Sequence, residues 1–479
     1  MTISRDNFIF QDPLFLMNVK ARNWITFAIT IVLVGLVSSF FQLPVLLPLS
    51  VLILFVYIYY FSNNRFYVDN FYMIIVSYFL ISFIYRVQVG FGVYFSSNLI
   101  SIITQIMIVM LFFVSVTRLA FHSNINFIVL ICLLFIASIY IQAFNGFDIE
   151  KLKLALSISQ NYMIFIIGYY LYKINSKYIL HGTLRMLLVI SIIDASYGLF
   201  QFIFGLPVYE VNAIHATGTD TAVFFASDFI KIIGLNSGTY GLFYSLIFFI
   251  ILFFTELKKY IYKSSFLLSG LLSLVLLFTF TERTALIMFF VAMVTFYILK
   301  YSKGKLVFIF LILLLFVILF PYLLHFYKDL FNNIADIGST KFERLGEISD
   351  VLEAGTMKSR QAHWENALMS FKKSGIWGNG FDGEYGFHNE YINIIVTFGI
   401  YSFLLWVVFL VSIVKKLFVL FKYETDPVIK NISISLICLF FSFLAAAIPN
   451  NPFIYSCGFI FFLFTGMIIS YFDNLVKNS

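Results

Sequence analysis

Three polar side chains stand out in a largely apolar chain: Arg283, Arg360 and His388. His388 lies in Phe387-His388-Asn389-Glu390-Tyr391, just ahead of a long apolar run. An imidazole with an ordinary pKa of about 6.5 can take a proton from a hydroxyl at neutral pH. Arg360, in Ser359-Arg360-Gln361-Ala362-His363-Trp364, carries a permanent charge in a planar fork that suits phosphate. Arg283, in Thr281-Glu282-Arg283-Thr284, sits between two apolar runs, where an ionisable group is a functional candidate by default. Plainer readings stand beside these. His388 could cap a helix, Arg360 could be a loop surface charge, and Arg283 with Glu282 could form a structural pin.

The elements that must carry these residues are set by composition. Of 479 residues, 61% are hydrophobic, only 11% are charged and 63 are Phe. A soluble domain needs roughly twice that charge to cover its outside. The sequence therefore reads as an all-α, polytopic integral membrane protein. Apolar segments long enough to cross a bilayer fall near 24–41, 43–61, 71–85, 98–117, 125–143, 158–173, 184–205, 233–254, 264–280, 285–300, 306–325, 389–413, 431–448 and 453–471. That gives about fourteen transmembrane helices. The runs are continuous rather than alternating, which excludes a transmembrane barrel. The polar first twenty residues do not form a cleaved signal peptide.

Most of the 31 basic residues collect on one side when the spans alternate, including Arg22, Arg65, Arg118, Lys173, Lys177, Arg185, Lys300, Lys416 and Lys477. By the positive-inside rule that side is cytoplasmic, and both termini lie there. The net charge of +7 is then a topology signal, not a nucleic-acid footprint. The chain divides into a cytoplasmic N-terminus (1–23), eleven helices (24–325), a long periplasmic loop (326–388), three helices (389–471) and a cytoplasmic C-terminus (472–479).

Two external loops are long, 206–232 and 326–388, and only the second has the length to fold as a small unit. Within it, 341–353 and 357–373 read as amphipathic helices. In the second of these, Trp364, Leu368 and Phe371 recur at helical spacing and place it on the membrane surface or the bundle top. A single helix over 264–300 would be about 55 Å long against a bilayer core of about 30 Å, so that stretch reads as a hairpin with Arg283 near its turn. Asp194 inside one span and Arg86 at the outer end of another are further charges at membrane depth; they could pair or line an anionic cavity. Cys132, Cys438 and Cys457 fall in spans and read as packing residues.

Chemistry on the outer face has neither ATP nor nucleotide sugar at hand. The chain has no phosphate-binding glycine loop, no Asp-x-Asp pair and no metal-ligand spacing, so no metal or cofactor is expected. A donor must arrive already activated in the membrane.

The run Arg360…Trp364…Ala367…Gly378-Asn379-Gly380…His388-Asn389…Tyr391…Phe398-Gly399 resembles the signature region of the O-antigen ligase and polymerase superfamily. Thr281-Glu282-Arg283-Thr284-Ala285-Leu286 is similar to that family's external arginine turn, where Ser-Arg is commoner than Glu-Arg. Gly234-Leu235-Asn236-Ser237 is similar to its Asn-rich helix start. The resemblance covers about 230–410. It implies a metal-independent glycosyltransferase of GT-C-type architecture in the bacterial inner membrane, with its active site on the periplasmic face. The donor would be an oligosaccharide on undecaprenyl diphosphate. His388 would be the general base, and Arg283 and Arg360 would hold the leaving diphosphate. Glu282, Asn389, Glu390, Tyr391, Trp364, Asn236, Arg86 and Asp194 would contribute to substrate binding. Glu282, in place of the family's small residue, could draw Arg283 into an ion pair. The span count favours a polymerase, with a chain-length regulator as partner, over a ligase that uses lipid A–core. A lipid-linked oligosaccharide flippase is a further alternative, which the long loop argues against.

Overall fold

The computed structural model describes residues 67–68, 71–75, 97–122, 125–144, 148–203, 207–212, 221–225, 283–300, 364–367, 369, 371–372, 375–382, 389–448, 453 and 458–478. Its principal elements are α1 (Ser97–His122), α2 (Phe127–Phe144), α3 (Ile149–Ile203), β1 (Pro207–Asn212), β2 (Thr221–Phe225), α4 (Arg283–Lys300), α5 (Glu390–Tyr423), α6 (Pro427–Ala446) and α7 (Gly458–Asn478). Among the described residues, five helical stretches are long and apolar enough to cross a membrane: Phe127–Phe144, Lys151–Ile174, Glu390–Tyr423, Pro427–Ala446 and Gly458–Val476. The protein is therefore an integral membrane protein built of helices. The expected spans 24–41, 43–61, 233–254, 264–280 and 306–325, and the expected helix 341–353, lie outside the described residues.

Two features depart from the pattern read from hydropathy. The first is α3, which joins the expected spans 158–173 and 184–205 into one helix, Ile149–Ile203. Its length is about 82 Å at 1.5 Å per residue. The sequence reading divides this stretch at Lys173, Lys177 and Arg185. Lys and Arg are good helix formers, and the stretch between the two apolar runs contains no proline, so nothing there breaks the backbone. The stretch that qualifies as a span is Lys151–Ile174. The second is an antiparallel hairpin in the expected loop 206–232. Its strands β1 and β2 pair Glu210 with Val223 and Asn212 with Thr221, with an irregularity between Pro207 and Tyr209.

Helices α3 and α7 pack in parallel. The Asn161 side chain donates to the Phe453 carbonyl at 3.0 Å, ahead of α7. Two turns further along, a Cβ added to Gly168 would lie 2.5 Å from the Leu463 carbonyl oxygen, and one added to Gly466 would strike the Phe165 carbonyl. Contacts this close need glycine at the crossing, because association in lipid rests on backbone approach rather than on the hydrophobic effect. At the centre, buried Trp406 of α5 donates its indole N–H to the Tyr162 hydroxyl at 2.9 Å, among Phe409 and Phe462.

A three-residue turn joins α5 to α6. The Glu424 N–H donates to the Leu420 carbonyl as α5 ends. Asp426 then caps α6 by accepting from the Val428 N–H at 2.9 Å, and Pro427 occupies the first turn with φ already set. Beside this turn, Asp473 accepts from Lys416 at 2.6 Å, from the Tyr169 hydroxyl at 2.9 Å and from the Asn126 amide.

Candidate functional site

The opposite end of the bundle holds the motif residues. Asn389 caps α5, its side-chain oxygen accepting from the Ile392 N–H at 3.1 Å. Glu390 follows in the first turn, where a carboxylate suits the positive helix end. It is fully buried. Its backbone N–H donates to the Ala447 carbonyl at 2.9 Å, and its Oε2 accepts from the Phe453 N–H at 2.9 Å. The Tyr391 hydroxyl donates to the Leu444 carbonyl at 3.0 Å. Glu390 and Tyr391 thus fasten the start of α5 to the end of α6 and to the connection toward α7.

About two and a half turns into α5 the helix breaks. Gly399 has φ 86° and ψ 174°, a conformation open essentially to glycine alone. A short turn fills the break. It runs through Gly375–Trp377 and Gly380–Asp382, both single turns of 3₁₀ helix, with Gly378 at φ 82°. The Asn379 N–H donates to the Val396 carbonyl at 2.7 Å. A Cβ on Gly378 would lie 2.5 Å from the Gly399 nitrogen, and one on Gly399 would lie 2.5 Å from the Trp377 carbonyl carbon. The two backbones touch, and both glycines are required. Irregular backbone beside an apolar helix is tolerated where protein packs around it, and here polar backbone groups find partners across the crossing. The side chain of Gln142, at the end of α2, donates to the Trp377 carbonyl at 2.7 Å.

Ahead of this turn, 364–367, 369 and 371–372 are helical. Ala367 is buried against Val396, with Trp364 and Phe371 half-buried around them. Within the expected helix 357–373, the described residues Trp364, Ala367 and Phe371 therefore pack on the first turns of α5.

Arg283 is the first residue of α4. Ser442 of α6 donates to the Met288 carbonyl at 2.9 Å. From Ser442 only one turn of α6 remains before Ala446, so the buried stripe Met288, Ala292 and Phe296 follows α6 toward Pro427. The start of α4 consequently lies at the Ala447 end of α6, the end that receives Glu390. Asp194 falls within α3. His388, Arg360, Glu282, Asn236 and Arg86 lie outside the described residues; His388 is bonded to Asn389.

Residues 267–407 match the family model described as O-antigen ligase (Wzy_C). The match supports the O-antigen ligase and polymerase superfamily for this stretch. It takes in α4, the glycine turn, the Asn389 cap and the broken part of α5, while α2, α3, α6 and α7 lie outside it. No curated protein matches the chain.

The sequence reading missed two residues that hold the superfamily segment in place. Gln142 is a single amide at the end of an apolar run and gives no signal of its own. Phe453 acts through its backbone N–H, which no side-chain pattern can report.

Proposed function

We propose that the chain is an O-antigen polymerase that joins oligosaccharide repeat units carried on undecaprenyl diphosphate, at the periplasmic face of the inner membrane. His388 removes the proton from the acceptor hydroxyl. That oxygen attacks the anomeric carbon of the donor glycan, the bond to the lipid diphosphate breaks, and the configuration inverts. Arg283 and Arg360 stabilise the charge that collects on the departing diphosphate. Glu282 moderates Arg283, and Asn236, Arg86, Asp194, Trp364, Asn389, Glu390 and Tyr391 shape the binding region. A chain-length regulator is the expected partner.

The observation that carries this reading is the meeting of two helix starts at one end of the bundle. Arg283 opens α4, Asn389 caps α5 next to His388, and α6 links the two through Met288–Ser442 and Ala447–Glu390. Within the matched stretch, that arrangement supports a site shared by Arg283 and the residues around Asn389. The description of the matched family favours a second reading, ligation of the finished glycan to lipid A–core.

Purified protein incubated with its lipid-diphosphate repeat unit alone should give a ladder of glycan lengths, absent in His388→Ala. Product only after addition of lipid A–core would establish the ligase instead. An intact ladder in His388→Ala would remove His388 as the base.

A further inference from the structure

Gln142 lies outside the matched stretch, in the last turn of α2. It is half-buried, and its amide nitrogen donates to the Trp377 carbonyl at 2.7 Å. Its amide oxygen faces Gly380, where a Cβ would sit 3.2 Å away. On its other side the same turn is held by α5, through the Asn379–Val396 bond of 2.7 Å and the Gly378–Gly399 contact. Residues 375–382 are therefore clamped between two helices that are far apart in sequence. From Asp382 the chain has only residues 383–388 before Asn389, which is itself fixed as a helix cap.

We infer that Gln142 is a positioning residue for the reaction proposed above. By holding the Trp377 carbonyl it fixes the turn 375–382 against the broken first part of α5, the helix that Asn389 caps. The inference rests on that proposed function for its catalytic meaning. The chemistry required at position 142 is a neutral amide: an N–H to meet a carbonyl oxygen, with a compact oxygen beside a glycine. A carboxylate there would set oxygen against oxygen. A displacement of about 1 Å in a reacting group can cost about 100-fold in rate, so a partial loosening should cost about 10-fold.

Gln142→Glu keeps the shape and removes the donor; Gln142→Ala removes the side chain. Both should be assayed with the lipid-diphosphate repeat unit for rate at saturation, half-saturating concentration and folded fraction. Hydrogen–deuterium exchange should be followed in 376–382 and, as a control, in 458–470. The expected result is about a 10-fold lower saturated rate per folded molecule with an unchanged half-saturating concentration. Exchange should rise in 376–382 and stay level in 458–470. An unchanged rate in both variants overturns the inference. So does a loss that follows the folded fraction, with exchange raised equally in both regions. If the unsubstituted protein makes no product with or without lipid A–core, the proposed function fails, and exchange then decides the clamp: loosening confined to 376–382 upholds it, and unchanged exchange overturns it.

Discussion

The two ends of the helical bundle are closed in different ways. Around Asp473, the bonds between helices join side chain to side chain: Lys416, Tyr169 and Asn126 converge on one carboxylate, Tyr471 donates to Glu424 at 2.8 Å, and Arg118 donates to the Tyr170 hydroxyl at 3.1 Å. Around Glu390, side chains meet the backbone of connecting segments: Glu390 holds Phe453, Tyr391 holds Leu444, and Gln142 holds Trp377. Bonds of the first kind fix helices against helices. Bonds of the second kind fix turns, and turns are where groups that work on substrates are presented. Damage at the first end should therefore appear in stability, and damage at the second in activity per folded molecule.

The strongest challenge to this contrast is Gly399→Ala. It forces a side chain into a glycine-only conformation and against the Trp377 carbonyl, at a cost of about 3 kcal/mol. The turn must move, and glycan product per folded molecule should fall by about 100-fold or more; near-normal turnover would break the contrast outright. Glu390→Ala comes next. It leaves the buried Phe453 N–H without its carboxylate, which costs about 1–3 kcal/mol in denaturant titration and should lower turnover as well. Asp473→Ala should behave in the opposite way. The pair is partly exposed, 21% at Lys416 and 15% at Asp473, so its loss should cost about 2 kcal/mol, between exposed and buried pairs. Turnover of the folded fraction should be unchanged; a selective loss of turnover would mean that the far end communicates with the site. The smallest effect belongs to Asp426→Ala, which removes a helix cap and should lower stability by about 1 kcal/mol with no change in product lengths.

Much of the helical framework was legible because lipid imposes long apolar runs. The run 125–143 became α2, Phe127–Phe144, and 453–471 became most of α7. The alternation of basic residues gives 158–173 and 453–471 one direction, and α3 and α7 run parallel. The same basic residues misled the reading at Lys173–Arg185, since charge reports topology and says nothing about whether a helix continues. The hairpin carried a local signal in Val208, Tyr209 and Val211, β-prone residues beside Pro207, but hydropathy averages it away. At the site, Gly378-Asn379-Gly380 and Gly399 were visible as motif residues. That they touch was not, because a backbone crossing depends on dihedral angles that glycine permits without announcing. The roles of Glu390 and Gln142 rest on bonds to backbone atoms 63 and 235 residues away, beyond any periodic pattern.

The parallel pairing of α3 with α7 also bears on how the protein is made. Tyr169 and its partner Asp473 are separated by 304 residues. At about 5–20 residues per second, a ribosome needs about 15–60 s to cover that distance. Throughout that interval the face of Gly168 lacks the helix that covers it in the finished protein. Loss of the last 22 residues would leave that face uncovered for good and would remove Asp473 with it. Premature termination near the C-terminus should therefore be read by membrane quality control as an unfinished protein rather than as a slightly shortened one.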